Sequence, residues 1–241
     1  MRGSVYVLAV AIVVVLASAV PAPAQTWVSV RYWPTSVTTR SAVASTDLYN
    51  TNMLSVSVRR DLNPDWSISF NGDWGSESNF SATGASALLG ISAGNDTLWN
   101  FNLHRRWTAG PNVFGLSAGW MSAGVSHTFP AFSASPQTIR VSGPRLGADF
   151  MTNRGPWSLT AWAATSVAAN VTFTAPGVIA GTETGSGSSY EAGAVVGYRA
   201  GGWVLDGGYR VYHMRFNATT TLCACEFIWS GFVVGVTKMF P

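Results

Sequence analysis

Apolar and aromatic side chains recur at every second position through most of this chain. One such series runs Leu54, Val56, Val58, then Trp66, Ile68, Phe70, then Trp99, Phe101, Leu103, then Phe114, Leu116, Ala118, Trp120. It resumes at Leu146, Ala148, Phe150, at Trp157, Leu159, Ala161, Ala163, and at Tyr190, Ala192, Ala194, Val196, Tyr198. Trp203, Leu205, Tyr209, Val211 and then Phe232, Val234, Val236 complete it. The intervening positions are small and polar, among them Ser55, Ser57, Ser69, Asn71, Asn100, Asn102, Gly193, Gly197 and Gly208. A period of two is that of a strand with two unlike faces. With a first strand at about Trp27–Trp33, the pattern predicts about ten strands, eight and twelve being the neighbouring even counts.

The predicted strands are joined by connections of two kinds. Four are short and rich in turn formers: Asp61–Asp65, Thr108–Pro111, Thr152–Pro156 and Ala200–Gly202. Five are long and rich in Gly, Ser, Thr and Asn, centred near residues 35–52, 76–97, 122–138, 168–188 and 217–226. Short and long alternate, so the short ones share one end of the molecule and the long ones the other.

Alternation alone does not say which face points outward, and composition decides it. Only 10% of residues are charged, against roughly 25% in an ordinary soluble protein. A face of Ser, Asn and Gly is too poor in charge for a solvated exterior and suits the tight interior of a small barrel. Arginines are scattered, Lys238 is the single lysine, and there is no basic run, so nucleic-acid binding is not expected. Trp27, Trp66, Trp157 and Trp203 each begin a strand at the short-turn end, with Trp107 beside another turn. Tryptophans at one level predict an aromatic girdle, because indole prefers a lipid–water boundary.

The chain opens with Arg2, an apolar stretch from Val5 to about Val20, and small residues at Ala22 and Ala24. That is the pattern of a cleavable secretory signal at residues 1–24, leaving one domain over residues 25–241. No later stretch reaches the roughly 20 apolar residues of a spanning helix, so any membrane crossing is left to strands.

Together these features resemble the small outer-membrane β-barrels of Gram-negative bacteria, the superfamily of OmpA-like and OmpX-like barrels. The last strand, Phe232–Pro241, is similar to that superfamily's assembly signal, with Phe240 penultimate to Pro241 rather than terminal. The resemblance implies an all-β, closed antiparallel up-and-down transmembrane barrel in the cell outer membrane. It also implies that the four short turns and both ends of the barrel face the periplasm and the five loops face outside. Outer-membrane lipid, lipopolysaccharide and the barrel-assembly machinery are the implied partners.

Ionisable residues expected on the inward face are Arg59, Asp73, His104, Arg145, Asp149, Glu191, Arg199, Asp206 and Arg210. Charges desolvated in a narrow lumen must be paired, so they are expected to form an ion-pair network that fills it. The register set by the turn at Ala200–Gly202 places Glu191 opposite Arg210 or Tyr212, and the same logic at Thr152–Pro156 faces Arg145 toward Trp162. Of the histidines, His104 lies at the short-turn end, His127 beside Ser126 in a long connection, and His213 above Asp206. None forms a catalytic motif. Cys223 and Cys225 are too close in sequence for an unstrained disulfide, leaving a strained bridge, a soft-metal ligand pair or a link to a partner as readings. No cofactor set is present. The sequence predicts a structural or surface-interaction barrel with a charge-plugged lumen; a narrow porin-like channel and a membrane-embedded hydrolase or acyltransferase are the alternatives.

Overall fold

A computed structural model describes residues 25–41, 45–78, 93–129, 133–176, 181–217 and 225–240. Residues 1–24, where the secretory signal is expected, Cys223 and Pro241 lie outside them.

Ten antiparallel strands close into one barrel. They are β1 (Thr26–Ser41), β2 (Ser45–Asp61), β3 (Trp66–Ser78), β4 (Ala93–Ala109) and β5 (Asn112–Phe129). They continue as β6 (Ser133–Arg154), β7 (Trp157–Thr174), β8 (Thr182–Ala200), β9 (Trp203–Phe216) and β10 (Cys225–Phe240). Each strand pairs with its sequence neighbours, and β1 pairs with β10 from Thr26↔Phe240 to Ser41↔Cys225. Closure leaves no unpaired sheet edge.

Three of the short turns are two-residue hairpins, closed by the pairs Ala109↔Asn112, Arg154↔Trp157 and Ala200↔Trp203. Each begins with a glycine at positive φ: Gly110 at 60°, Gly155 at 59° and Gly201 at 61°. A positive φ at the first turn residue matches the twist of the flanking strands, and glycine adopts it without a Cβ clash. The fourth turn is held by Asn63, whose Oδ1 accepts the backbone N–H groups of Asp65 and Trp66 at 2.9 Å each.

Side-chain polarity inverts part-way along the barrel. From the short turns upward, the outer face is an apolar belt that includes Leu103, Leu116, Leu146, Leu159, Val196, Leu205 and Val234, all exposed. Trp107, Phe114, Trp157, Trp203 and Phe240 edge it near the turns, and Tyr32, Trp99, Trp120 and Tyr190 edge it above. From Trp107 to Trp99 is about nine positions, close to the roughly 9–11 that a tilted strand needs to cross a bilayer. Above the upper edge the outward positions turn polar, with Ser36, Asn95, Arg140, Thr172, Thr184, Ser186 and Arg215 exposed. There the inward positions turn apolar: Trp33, Val37, Met53, Val125, Val141, Val171, Met214, Phe216 and Trp229 are each at most 1% exposed and pack into one cluster.

Two expectations are corrected, the first by this inversion and the second by the parity of β1. The stretches read as long loops around residues 35–52, 122–138 and 168–188 are largely strand, since β1 runs to Ser41, β5 to Phe129 and β7 to Thr174. Their alternation persists, but with small polar residues outside and Val37, Val125, Val171 and Phe173 inside, the arrangement of a barrel standing in water. Trp27 is also displaced from the expected girdle. On β1 the outward positions are Val28, Val30 and Tyr32, whereas Trp27 shares the parity of Ser29 and Arg31 and lines the lumen with them.

Candidate functional site

The lumen is occupied at three levels. Across its middle, Arg210 on β9 forks onto Asp73 on β3, donating from Nη1 and Nη2 at 2.8 Å each. These strands stand nearly opposite each other in the barrel order, so the pair crosses the lumen. The same guanidinium donates from Nε to Glu191 Oε1 at 3.0 Å and lies 4.3 Å from the ring of Trp33. Glu191 also accepts Arg145 Nη2 at 2.9 Å and Trp162 Nε1 at 2.8 Å. From Arg145 the chain of bonds passes to Asn102 at 3.0 Å, then Asn100 at 2.6 Å, then Asn71 at 2.8 Å, returning to β3. Ser55 donates to Asp73. Two carboxylates and two guanidiniums thus neutralise each other with their hydrogen bonds largely met, as buried charges require.

The hairpin register sets this geometry. Glu191 pairs with Tyr212, and Arg210 sits one inward position nearer the turn, opposite Gly193. Arg145 does not stack on Trp162 as expected. The hairpin turn is only Gly155-Pro156, so Trp162 falls opposite Asp149, and a bulge between Ser142 and Leu146 takes Arg145 out of the β7 ladder. The two side chains meet instead through Glu191.

Above the network, the apolar cluster encloses an acidic group. Asp96 accepts Tyr49 Oη–H and Trp229 Nε1–H, both at 3.1 Å, and His127 Nε2 stands 2.8 Å from Glu77 Oε1. These residues lie beyond Trp99 and Trp120, outside the apolar belt. Burial pushes the Glu77 carboxyl up to about 8. Burial, with the nearby Glu77, pushes Asp96 up to about 7. Burial also lowers His127 to about 4.

Relative to their ordinary 4.5 and 3.8, both carboxyls hold protons more tightly in the folded state. The stability they contribute is complete below those values and is lost as pH rises through about 7 to 8. His127 opposes them: its contribution is complete above its ordinary 6.5 and is lost as pH falls through about 4. Two carboxyls outweigh one imidazole, so amide protection in the upper barrel is expected to be weaker at about pH 8 than at about pH 6. Hydrogen exchange should show this loss reduced in Asp96→Asn; an identical loss in that variant would contradict the assignment.

Below the network, a cavity of about 280 Å³ reaches the short-turn end. All nine ionisable residues expected on the inward face line it. Arg31, which the sequence reading missed, forks onto Asp206 at 2.8 and 3.0 Å. Its parity with Ser29 was the available signal. His104 shares a 2.7 Å hydrogen bond with Ser69 and lies 3.5 Å from Asp149. Arg106 Nη2 lies 2.7 Å from Asp61 Oδ1, and Arg59 Nε lies 3.7 Å from the same oxygen. Glu77 and Asp96 were missed because they fall in a stretch read as loop.

The remaining expected site residues are dispersed. Trp107, Trp157 and Trp203 are exposed near the short turns, where Lys238 lies 4.7 Å from the Trp203 ring and Arg105 lies 5.4 Å from Trp66. Phe240 is exposed at the end of β10. Cys225 opens that strand opposite Ser41 and Phe216. His127 is buried in β5 rather than placed in a loop, and His213 faces outward against Tyr190, with its ring centroid 4.3 Å away, and Glu226 at 3.1 Å. Ser126 and Asp206 lie on the faces opposite those histidines, so neither expected neighbour pair is a working pair.

No protein-family model matches the sequence, and no curated protein matches it. Among solved structures, the outer-membrane protease OmpT from Escherichia coli is similar at 12% identity and TM-score 0.53, over 90% of this chain and 96% of that one. The translocator domain of the autotransporter NalP from Neisseria meningitidis is similar at 11% identity and TM-score 0.46, over 99% and 96%. Neisserial surface protein A is similar at 13% identity and TM-score 0.40, over 90% and 97%. At such identities the likeness to the protease is one of fold. The chain is a closed ten-stranded antiparallel barrel with the fold of the small outer-membrane β-barrels.

Proposed function

We propose that the protein is exported to the Gram-negative outer membrane and works there as a closed, non-conducting barrel that presents its polar upper part at the cell surface. The observation that carries this reading is the polarity inversion. An apolar belt suited to lipid surrounds the lower barrel, and the strands then continue above it with a polar outer face. The lumen is crossed by the Asp73–Arg210–Glu191–Arg145 network and packed with apolar side chains above it, which favours surface interaction over transport. His127 and Glu77, the one imidazole–carboxylate pair in the upper lumen among the described residues, are buried within that packing, which favours a non-enzymatic role over a hydrolase.

Outer-leaflet lipid, including lipopolysaccharide, is the proposed surrounding partner. Arg140 points outward just above the belt, as does Arg215, whose Nε lies 3.7 Å from Glu226 Oε1, and a guanidinium fork there suits lipid phosphate. Phe240, exposed at the seam strand, is the proposed contact for the assembly machinery. An epitope inserted after residue 180 is expected to bind antibody on intact cells, and one inserted at Gly201 only after permeabilisation. The protein should fractionate with the outer membrane and migrate faster unheated than boiled. Recovery as a soluble periplasmic protein would contradict the location, and the reverse epitope pattern would invert the barrel.

A further inference from the structure

The charges of the lower lumen do not balance at its mouth. Deeper in, Arg210 and Arg145 are matched by Asp73 and Glu191, and Arg31 by Asp206. At the short-turn end, Arg59 and Arg106 converge on one oxygen of Asp61, and Asp149 lies beside His104. Arg199, on the inward parity of β8, adds a third guanidinium to the cavity wall. Three guanidiniums therefore face two carboxylates.

Hydrogen bonds are left unmade there as well, and Asp61 Oδ1, close to both arginines, is among the unmet atoms. Nη2 of Arg59, Nε of Arg106 and Nε1 of Trp27 are buried with no protein acceptor. Trp27 and Arg59 are directly opposed on β1 and β2, so two of these donors share one wall of the cavity. Small turns of the side chains would aim all three at an acceptor placed inside it.

We propose that this cavity binds a small carboxylate entering from the short-turn end. The excess of one positive charge matches a monoanion, and a planar carboxylate accepts side-on from a guanidinium while its second oxygen takes the indole N–H. A volume of about 280 Å³ admits a molecule of several heavy atoms. Met151 and Val204, on the inward parity of β6 and β9, would take its apolar part. The site is independent of the role proposed for the upper barrel, since it lies below the network that closes the lumen.

The test uses the whole refolded barrel, with N-acetylglycine as the carboxylate probe and inorganic phosphate as the competing anion. The indole N–H resonance of Trp27, identified by its loss in Trp27→Phe, should shift saturably with N-acetylglycine. Arg106→Gln and Arg59→Gln should each weaken binding about tenfold or more, the scale of a lost charge-assisted hydrogen bond. Arg154→Gln, on the outward side of the neighbouring turn, should not change it. Heat-shifted gel migration identifies which variants have closed, and if a glutamine variant does not close, Arg106→Lys and the wild-type titration decide. No saturable shift in wild type, binding indifferent to both arginines, or tighter binding of phosphate than of N-acetylglycine would overturn the assignment.

Discussion

Arg210→Met is expected to cost the barrel ~3–5 kcal/mol, the scale for removing one partner of a buried ion pair. Arg210 serves two carboxylates at once, and its loss leaves Asp73 with no cation and Glu191 with Arg145 alone. The double variant Asp73→Asn with Arg210→Met should recover much of that loss, because Glu191 and Arg145 remain a matched pair and the stranded charge is gone. Urea titration of barrels refolded into vesicles checks both. If the double variant were as unstable as the single one, loss of packing against Trp33 would be the main cost, and the network would not be the element that holds the middle of the lumen.

Trp229→Ala is expected to be comparably damaging in the upper barrel. The side chain is fully buried, with ring centroids 5.7 Å from Tyr212 and 5.8 Å from Phe227. Truncating a large core aromatic costs ~3–5 kcal/mol through lost transfer energy and the cavity left behind. Trp229 also donates a hydrogen bond to Asp96. Trp229→Phe keeps most of the packing and leaves that acceptor one donor short, so a smaller loss of about 1–3 kcal/mol is expected. The same urea titrations separate the two contributions; equal losses for Ala and Phe would mean that the hydrogen bond, and not the packing, dominates.

The lower barrel was legible in the sequence because period-two alternation and short turns constrain each other there. Once Trp157, Leu159 and Ala161 are assigned outward, Ser158 and Thr160 must face in, and a two-residue turn at Gly201-Gly202 fixes which residues oppose Glu191. The upper barrel was not legible, because a belt-based reading equates apolar with outward. Val37, Val125 and Val171 obey the same period with the opposite sense, and Ser, Thr and Gly on the solvent face there resemble loop composition. Arg145 was misplaced for a different reason: Gly143-Pro144 inside β6 marks a bulge between Ser142 and Leu146, and a register counted from the turn alone takes no account of it. Trp27 illustrates a third kind of difficulty. A tryptophan beside the membrane boundary suits either face of a strand end, and the alternation of Val28, Val30 and Tyr32 with Ser29 and Arg31, which puts Trp27 inside, is passed over when every strand-opening tryptophan is assigned to a girdle.

The central claim is that the lumen is closed, by charge at mid-height and by apolar packing above it. Single-channel recording of the refolded wild-type barrel in a planar bilayer tests it most directly. Insertion without conductance steps, verified by heat-shifted migration of the protein recovered from the same preparation, is the predicted result. Steady conductance steps that persist unchanged in Glu191→Ala and Arg210→Ala would show a water path that neither closure interrupts, and would contradict it.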